Sequence, residues 1–210
     1  MAEQFILYID GLDALKSLDD IPAKMLKSAR IALNSAARKG RTLAAREVLK
    51  ETAFPASYVS PRNGRLAVKN FASNNNLEAV IAGKKRATSL AQFLVGPRKV
   101  GGAKKRAGLR VKVDPTKGTR LLPKAFLVKL RSGRDVDTKG NVGVAVRTKN
   151  GRPPPGYKPT RISDNLWLLA GPSVAQNLYS EKNQGGVFTD IGPEVAQMIE
   201  DEFWRQMDLP

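Results

Sequence analysis

Apolar positions along the chain change period several times, and each change predicts an element. Residues 4–10, Gln-Phe-Ile-Leu-Tyr-Ile-Asp, are nearly all apolar and end at Asp10-Gly11. That pattern predicts a strand buried on both faces, or one at a covered sheet edge. Leu12, Ala14, Leu15 and Leu18 are spaced for a short helical turn. The clearest helix is predicted over 20–50. Asp19 or Asp20 can accept its first free N–H groups, and Pro22 suits its first turn. Its apolar stripe runs Leu26, Ala29, Leu33, Ala36, Gly40, Leu43, Ala44, Val48 and consists mostly of small side chains. Such a stripe lets another helix or a sheet approach closely. Gly40 costs about 1 kcal/mol against alanine there, which calls for a packing reason. The other faces carry Lys24, Lys27, Arg30, Arg38, Lys39, Arg41, Arg46 and Lys50, as solvated surface or as a binding face.

Phe54-Pro55 ends this helix. A short second helix and a turn are predicted over 55–70, with Ser60-Pro-Arg-Asn-Gly64 as the turn signal. Strands are predicted at Leu77–Ile81, Leu109–Val113, Phe126–Leu130, Asn141–Arg147 and Leu166–Leu169. A long hairpin loop is expected over 132–140 and a Gly- and Pro-rich loop over 148–160. An amphipathic helix closes the chain from Pro193 to Gln206, with Val195, Met198 or Ile199, and Phe203 on its apolar side. The sum is an α+β fold: a long N-terminal helix packed on an antiparallel β-sheet, with extended basic loops and a C-terminal helix. A single domain over 1–210 is expected, with a basic loop at 83–108 that orders on a partner.

Charge sharpens this outline. The 210 residues hold 36 Lys+Arg against 19 Asp+Glu, a net charge of +17. Residues 1–20 carry five acids and one base, and 181–210 carry seven acids and two bases. Between 84 and 134 sixteen bases meet a lone acid, Asp114. A basic body between acidic ends points to a polyanion, an acidic partner or the acidic ends of a neighbouring copy. The bland alternative is a solvated surface. No apolar run approaches the roughly 18 residues of a membrane span, so no membrane partner is expected. Met1-Ala-Glu-Gln4 carries no basic region or cleavage pattern, so no signal peptide is expected.

Candidate chemistry is sparse. With no Cys and no His, thiolate sites, imidazole bases and Ser-His-Asp triads are excluded. Gly96 and Gly101 have phosphate-loop spacing, but Gly102 stands where the lysine is needed. Asp135 and Asp137 are read as solvated turn residues rather than a catalytic pair. No enzyme activity, metal or cofactor is therefore expected. The basic balance fits a phosphate binder, yet zinc spacing, RNA-binding aromatic motifs and basic heptads are absent. Any contact with nucleic acid is expected to be sequence-independent and salt-sensitive.

Several short motifs recur in a telling order: Gly11-Leu12, Ile31-Ala-Leu-Asn-Ser-Ala-Ala-Arg38 followed by Ala45-Arg-Glu47, then Leu77–Ile81. Pro123-Lys-Ala-Phe126, Leu130-Arg-Ser-Gly133, Val144-Ala-Val-Arg147 and Pro193-Glu194 complete it. In this order the chain resembles the phage minor tail protein Z family, tail-completion or neck proteins of long-tailed phages. It departs in its Pro-rich 153–159 loop and its acidic last helix. The resemblance implies a virion structural protein at the head-proximal end of the tail, assembled in the host cytoplasm as a homo-oligomeric, hexameric ring. The implied partners are further copies of itself, the tail tube or tail terminator protein, the head–tail connector, and genomic DNA in the channel. The alternative is a free-standing, sequence-independent nucleic-acid-binding protein. Lys84, Lys85, Arg86, Arg98, Lys99, Lys104, Lys105 and Arg106 are the candidate contacts to channel DNA or an acidic partner. Phe203 and Trp204 are candidate subunit contacts, although ordinary core packing is the favoured expectation for Trp204.

Overall fold

The computed structural model describes residues 4–8, 22–96, 108–130, 142–149, 151–152, 157–179 and 186–208. Two compact units divide the chain and interleave in sequence: 1–48, 60–84 and 178–210 form the first, 49–59 and 85–177 the second. The fold class is α+β, as expected, but the strands form three antiparallel sheets rather than one. The expected turn at 12–18, the caps at Asp19 and Asp20 and the loop at 132–140 lie outside the described residues.

In the first unit, β1 (Gln4–Tyr8) and β2 (Leu66–Asn70) flank β3 (Glu78–Gly83) in a three-stranded sheet. The long helix α1 (Ala23–Glu51) lies on this sheet, and α3 (Val187–Asp208) packs beside it. The small stripe of α1 is its buried face: Ala29, Ala32, Ala36, Gly40 and Ala44 are buried, with Leu33 and Val48. Gly40 has the packing reason its cost demands. A Cβ there would sit 3.1 Å from Val195 Cγ2 on α3 and 3.5 Å from Ile81 Cδ1 on β3.

Polar groups fix the register of α1 on the sheet. The Asn34 amide donates to Ala72 O (3.0 Å) and accepts from Ala72 N (2.8 Å). Arg41 is a correction to the basic faces read from the sequence: it is buried, and its Nε donates to Leu66 O at 3.0 Å. Burial pushes the Arg41 guanidinium below its usual pKa. That contact also marks a strand where a helix and turn were expected. Residues 56–63 form two short 3-10 helices, Ala56–Val59 in the second unit and Pro61–Asn63 in the first, and β2 follows at Leu66.

The last helix begins six residues before the expected Pro193. Proline removes one ladder hydrogen bond, but Val187, Phe188 and Ile191 are buried, and Phe188 packs its ring 5.9 Å from Tyr179. Burial of the first turns outweighs the broken bond.

The second unit is built on β10 (Leu166–Gly171), to which β4 (Thr88–Ser89), β8 (Val142–Arg147) and β9 (Lys158–Ser163) all pair. On the far side of β8 lies β7 (Ala125–Lys129). A separate two-stranded ribbon joins β5 (Leu109–Val111) to β6 (Arg120–Leu122), and a short helix α2 (Val174–Leu178) follows β10. Gly143 on β8 has no room for a side chain: a Cβ there would overlap Leu168 Cδ1. Phe54 stacks on Tyr58 (5.3 Å) and tilts against Phe93 (5.2 Å), while Tyr58 Oη and Thr88 Oγ1 are hydrogen-bonded at 3.1 Å.

Part of the expected loop over 83–108 is core. Thr88–Ser89 is β4, Leu90–Phe93 is a 3-10 helix, and residues 88–93 are all buried. The Gly- and Pro-rich loop also ends earlier than expected, because β9 starts at Lys158. Pro159 fits there because, among the described strands, β9 pairs on one side only, and its other side tolerates a missing N–H.

Replacing Gly40 tests the junction. Gly40→Leu is expected to cost about 1–3 kcal/mol through overpacking, seen as a lower urea midpoint at unchanged slope. Gly40→Ala is expected to stay within about 1 kcal/mol of the parent, since the helix-propensity gain offsets a methyl crowding one movable Val195 carbon.

Candidate functional site

The C-terminal half of α3 gathers features that folding alone does not use. Val195 is buried, Met198, Ile199 and Phe203 are half-buried, and Asp190, Glu194, Glu200, Asp201 and Asp208 are exposed. Trp204 is 57% exposed, which overturns the core-packing expectation for it. Its ring meets Phe203 edge-on at 5.3 Å, so the pair presents one aromatic ridge. An indole held in water on a helix of acids is costly surface to leave uncovered.

Facing α3 is the basic side of α1. Arg30, Ile31, Asn34, Ser35 and Arg38 from α1 and Glu202, Arg205 and Gln206 from α3 line a cavity of about 400 Å³. Within it Glu202 takes two hydrogen bonds from Arg205, at 2.9 and 2.6 Å, and one from Gln206 at 2.8 Å. The Arg205 hydrogen bonds are the main reason the Glu202 carboxyl is held down at about 2, against partial burial that pushes the other way. Its charge, nearly two turns from the helix end, holds the Arg205 guanidinium. Arg38 lies over the Phe71 ring, 5.1 Å from its centroid, and Phe71 is itself half exposed.

The basic candidates fare unevenly. Lys84 and Lys85 are exposed just after β3, and Arg86 is half-buried. The Lys84 N–H donates to Arg65 O at 2.8 Å, which extends the β2–β3 pairing by one residue. Lys84 closes a segment of the first unit, and Lys85 and Arg86 open a segment of the second. Arg98, Lys99, Lys104, Lys105 and Arg106 lie outside the described residues. The sequence reading missed the cavity beside α3, because Arg30 and Arg38 were indistinguishable from the other bases of α1 until α3 was placed.

Among the described residues, no group of three or more acidic, His or Cys side chains is placed to hold a metal ion. Among them, no helix is long and apolar enough to cross a membrane. No protein-family model, curated protein or solved structure matches this chain.

Acid titration reads the Glu202 contact directly. The folded carboxyl protonates near 2 and an ordinary glutamate at 4.5. The unfolded chain therefore takes up the proton first, and stability present above pH 4.5 is lost as pH falls toward 2. Glu202→Gln is expected to flatten that acid limb in urea melts taken at several pH values. It will not abolish it, because Asp114, held at about 2 mainly by the Thr116 hydroxyl, retains its own share.

Proposed function

We propose that this chain is a virion structural protein of the head-proximal end of a phage tail, a tail-completion or neck protein. It works by forming a homo-oligomeric ring and assigns no catalytic step to any residue. The observation that carries the reading is the exposed Trp204 on the acidic face of α3. Closed rings of identical subunits use two different surfaces that fit each other. Here one surface is the aromatic, acidic ridge of α3, and the complement is drawn from the chain's basic body, which carries the +17 excess. A buried indole surrounded by charges that pair across the interface is the usual make-up of a strong contact point.

The resemblance to the minor tail protein Z family supports the same reading at the level of elements. The Ile31–Arg38 and Ala45–Glu47 motifs fall on α1, Leu77–Ile81 leads into β3, and Pro123–Phe126 leads into β7. Val144–Arg147 ends β8, and Pro193-Glu194 lies within α3. On this reading the tail tube or terminator and the head connector are the neighbours above and below the ring, and the protein resides in the virion.

Light-scattering mass of the nuclease-treated protein tests it. The parent is expected to form a discrete oligomer, or to remain a monomer that incorporates into tail tubes free of nucleic acid. Trp204→Ala is expected to abolish that association while leaving the melting temperature nearly unchanged, because the side chain contributes little to its own unit's core. A monomer that carries nucleic acid until salt strips it, with no tail incorporation, would replace this reading with a free-standing nucleic-acid binder.

A further inference from the structure

A second basic surface arises from strand register in the second unit. In the β7–β8 ladder Ala125 faces Val146, so the next position sets Lys124 beside Arg147. In the β8–β10 ladder Arg147 faces Leu166, and beyond it the Thr148 N–H donates to Asn165 O at 2.9 Å. Three strand ends thus meet at one edge of the five-stranded sheet. Lys124, Arg147, Thr148, Lys149 and Asn165 line a cavity of about 650 Å³ there. Among the described residues no acid is in the lining. Asp164, the nearest acid in sequence, is engaged by Arg161 at 2.8 Å. Among the described residues none of Lys124, Arg147 or Lys149 has a carboxylate partner.

Two further observations mark this cavity as more than a solvated sheet edge. Lys124 has φ +63°, and among the described residues it is the one non-glycine with positive φ. Positive φ after a turn proline is the type II requirement that glycine or asparagine normally meets. A lysine there carries backbone strain that glycine would relieve. Thr148 adds a hydroxyl that is shielded from solvent and has no hydrogen-bond partner among the described residues. Like charges gathered at the end of the β7–β8 ladder also oppose folding. The repulsion among these cations is offset by one kind of ligand, an anion with several acceptor oxygens.

We propose that this strand-end cavity binds a backbone phosphate of nucleic acid, with Lys124, Arg147 and Lys149 supplying charge and Asn165 supplying a neutral hydrogen bond. An acidic peptide fits less well, because none of the described lining residues is aromatic or aliphatic. With no aromatic side chain among the described lining residues to stack on bases, binding is to the backbone, without sequence preference, and duplex serves as well as single strands. The site uses a different surface from the α3 ridge and does not depend on ring formation.

The test is fluorescence anisotropy of the full-length, nuclease-treated protein on a labelled mixed-sequence duplex, over a range of salt concentrations. Arg147→Gln and Lys149→Gln are each expected to weaken binding about threefold to tenfold and to reduce the salt slope by about one. Lys124→Gly is expected to weaken binding comparably while raising the urea midpoint, a pair of effects that a purely structural lysine would not give. Arg62→Gln, an exposed charge on the Pro61–Asn63 helix in the first unit, is the control of equal charge. An equal loss at Arg62 would mean a diffuse field and would overturn the site. So would displacement of the duplex by polyglutamate at matched charge, or saturation by micromolar inorganic phosphate with no effect on the duplex. Unchanged affinity in all three site variants would overturn it as well.

Discussion

The close approach of three elements at Gly40 is the constraint on which the first unit rests. A helix glycine is worth about 1 kcal/mol less than alanine, and here the missing Cβ is what lets Val195 of α3 and Ile81 of β3 reach the α1 backbone together. Once that contact is set, α1 has one permitted depth on the sheet. At that depth Asn34 meets both backbone groups of Ala72, and Arg41 meets the carbonyl of Leu66. Buried polar groups of this kind contribute little net stability when paired, but they penalise every alternative register.

Charge in this chain follows two different rules. Arg41 is buried because its stem packs on the core face and its head finds a carbonyl, and burial lowers its pKa. Most of the other described bases lie at the surface, where each pair is weak and the summed field matters more than any contact. Glu202 joins the two regimes. Arg205 and Gln206 hold it ionised at the foot of a cavity with Arg30 and Arg38. That arrangement stiffens the end of α3 that carries Trp204, so the exposed indole is displayed on an ordered helix turn.

Much of the architecture was legible along the chain. The period of the apolar stripe located α1 within about three residues of its observed start, and simple alternation found β8 and β5. The cost of Gly40 announced a packing contact before its partners were known. The misses share one cause. Local signals of Pro and Gly mark where a backbone is unlikely to continue, but burial elsewhere can outweigh them. Pro193 sits inside α3 because Phe188 and Ile191 are buried ahead of it, and Pro159 sits inside β9 because that strand pairs on one side only among the described strands. Leu66 begins β2 by pairing with Gly83 of β3, and its carbonyl also accepts a hydrogen bond from Arg41, 25 positions earlier.

The amino-acid order by itself determined the fold class, the two amphipathic helices, the uneven charge and the absence of thiol and imidazole chemistry. These depend on residue type and short-range period, which need no knowledge of neighbours. Only the tertiary structure decided which of eight bases on α1 is buried, that Trp204 faces solvent, and that Lys124, Arg147 and Lys149 share one cavity. Those facts depend on strand register and on helix depth. A shift of one residue in a ladder sends every side chain to the opposite face, and no local pattern in the sequence records which register the packed core selects.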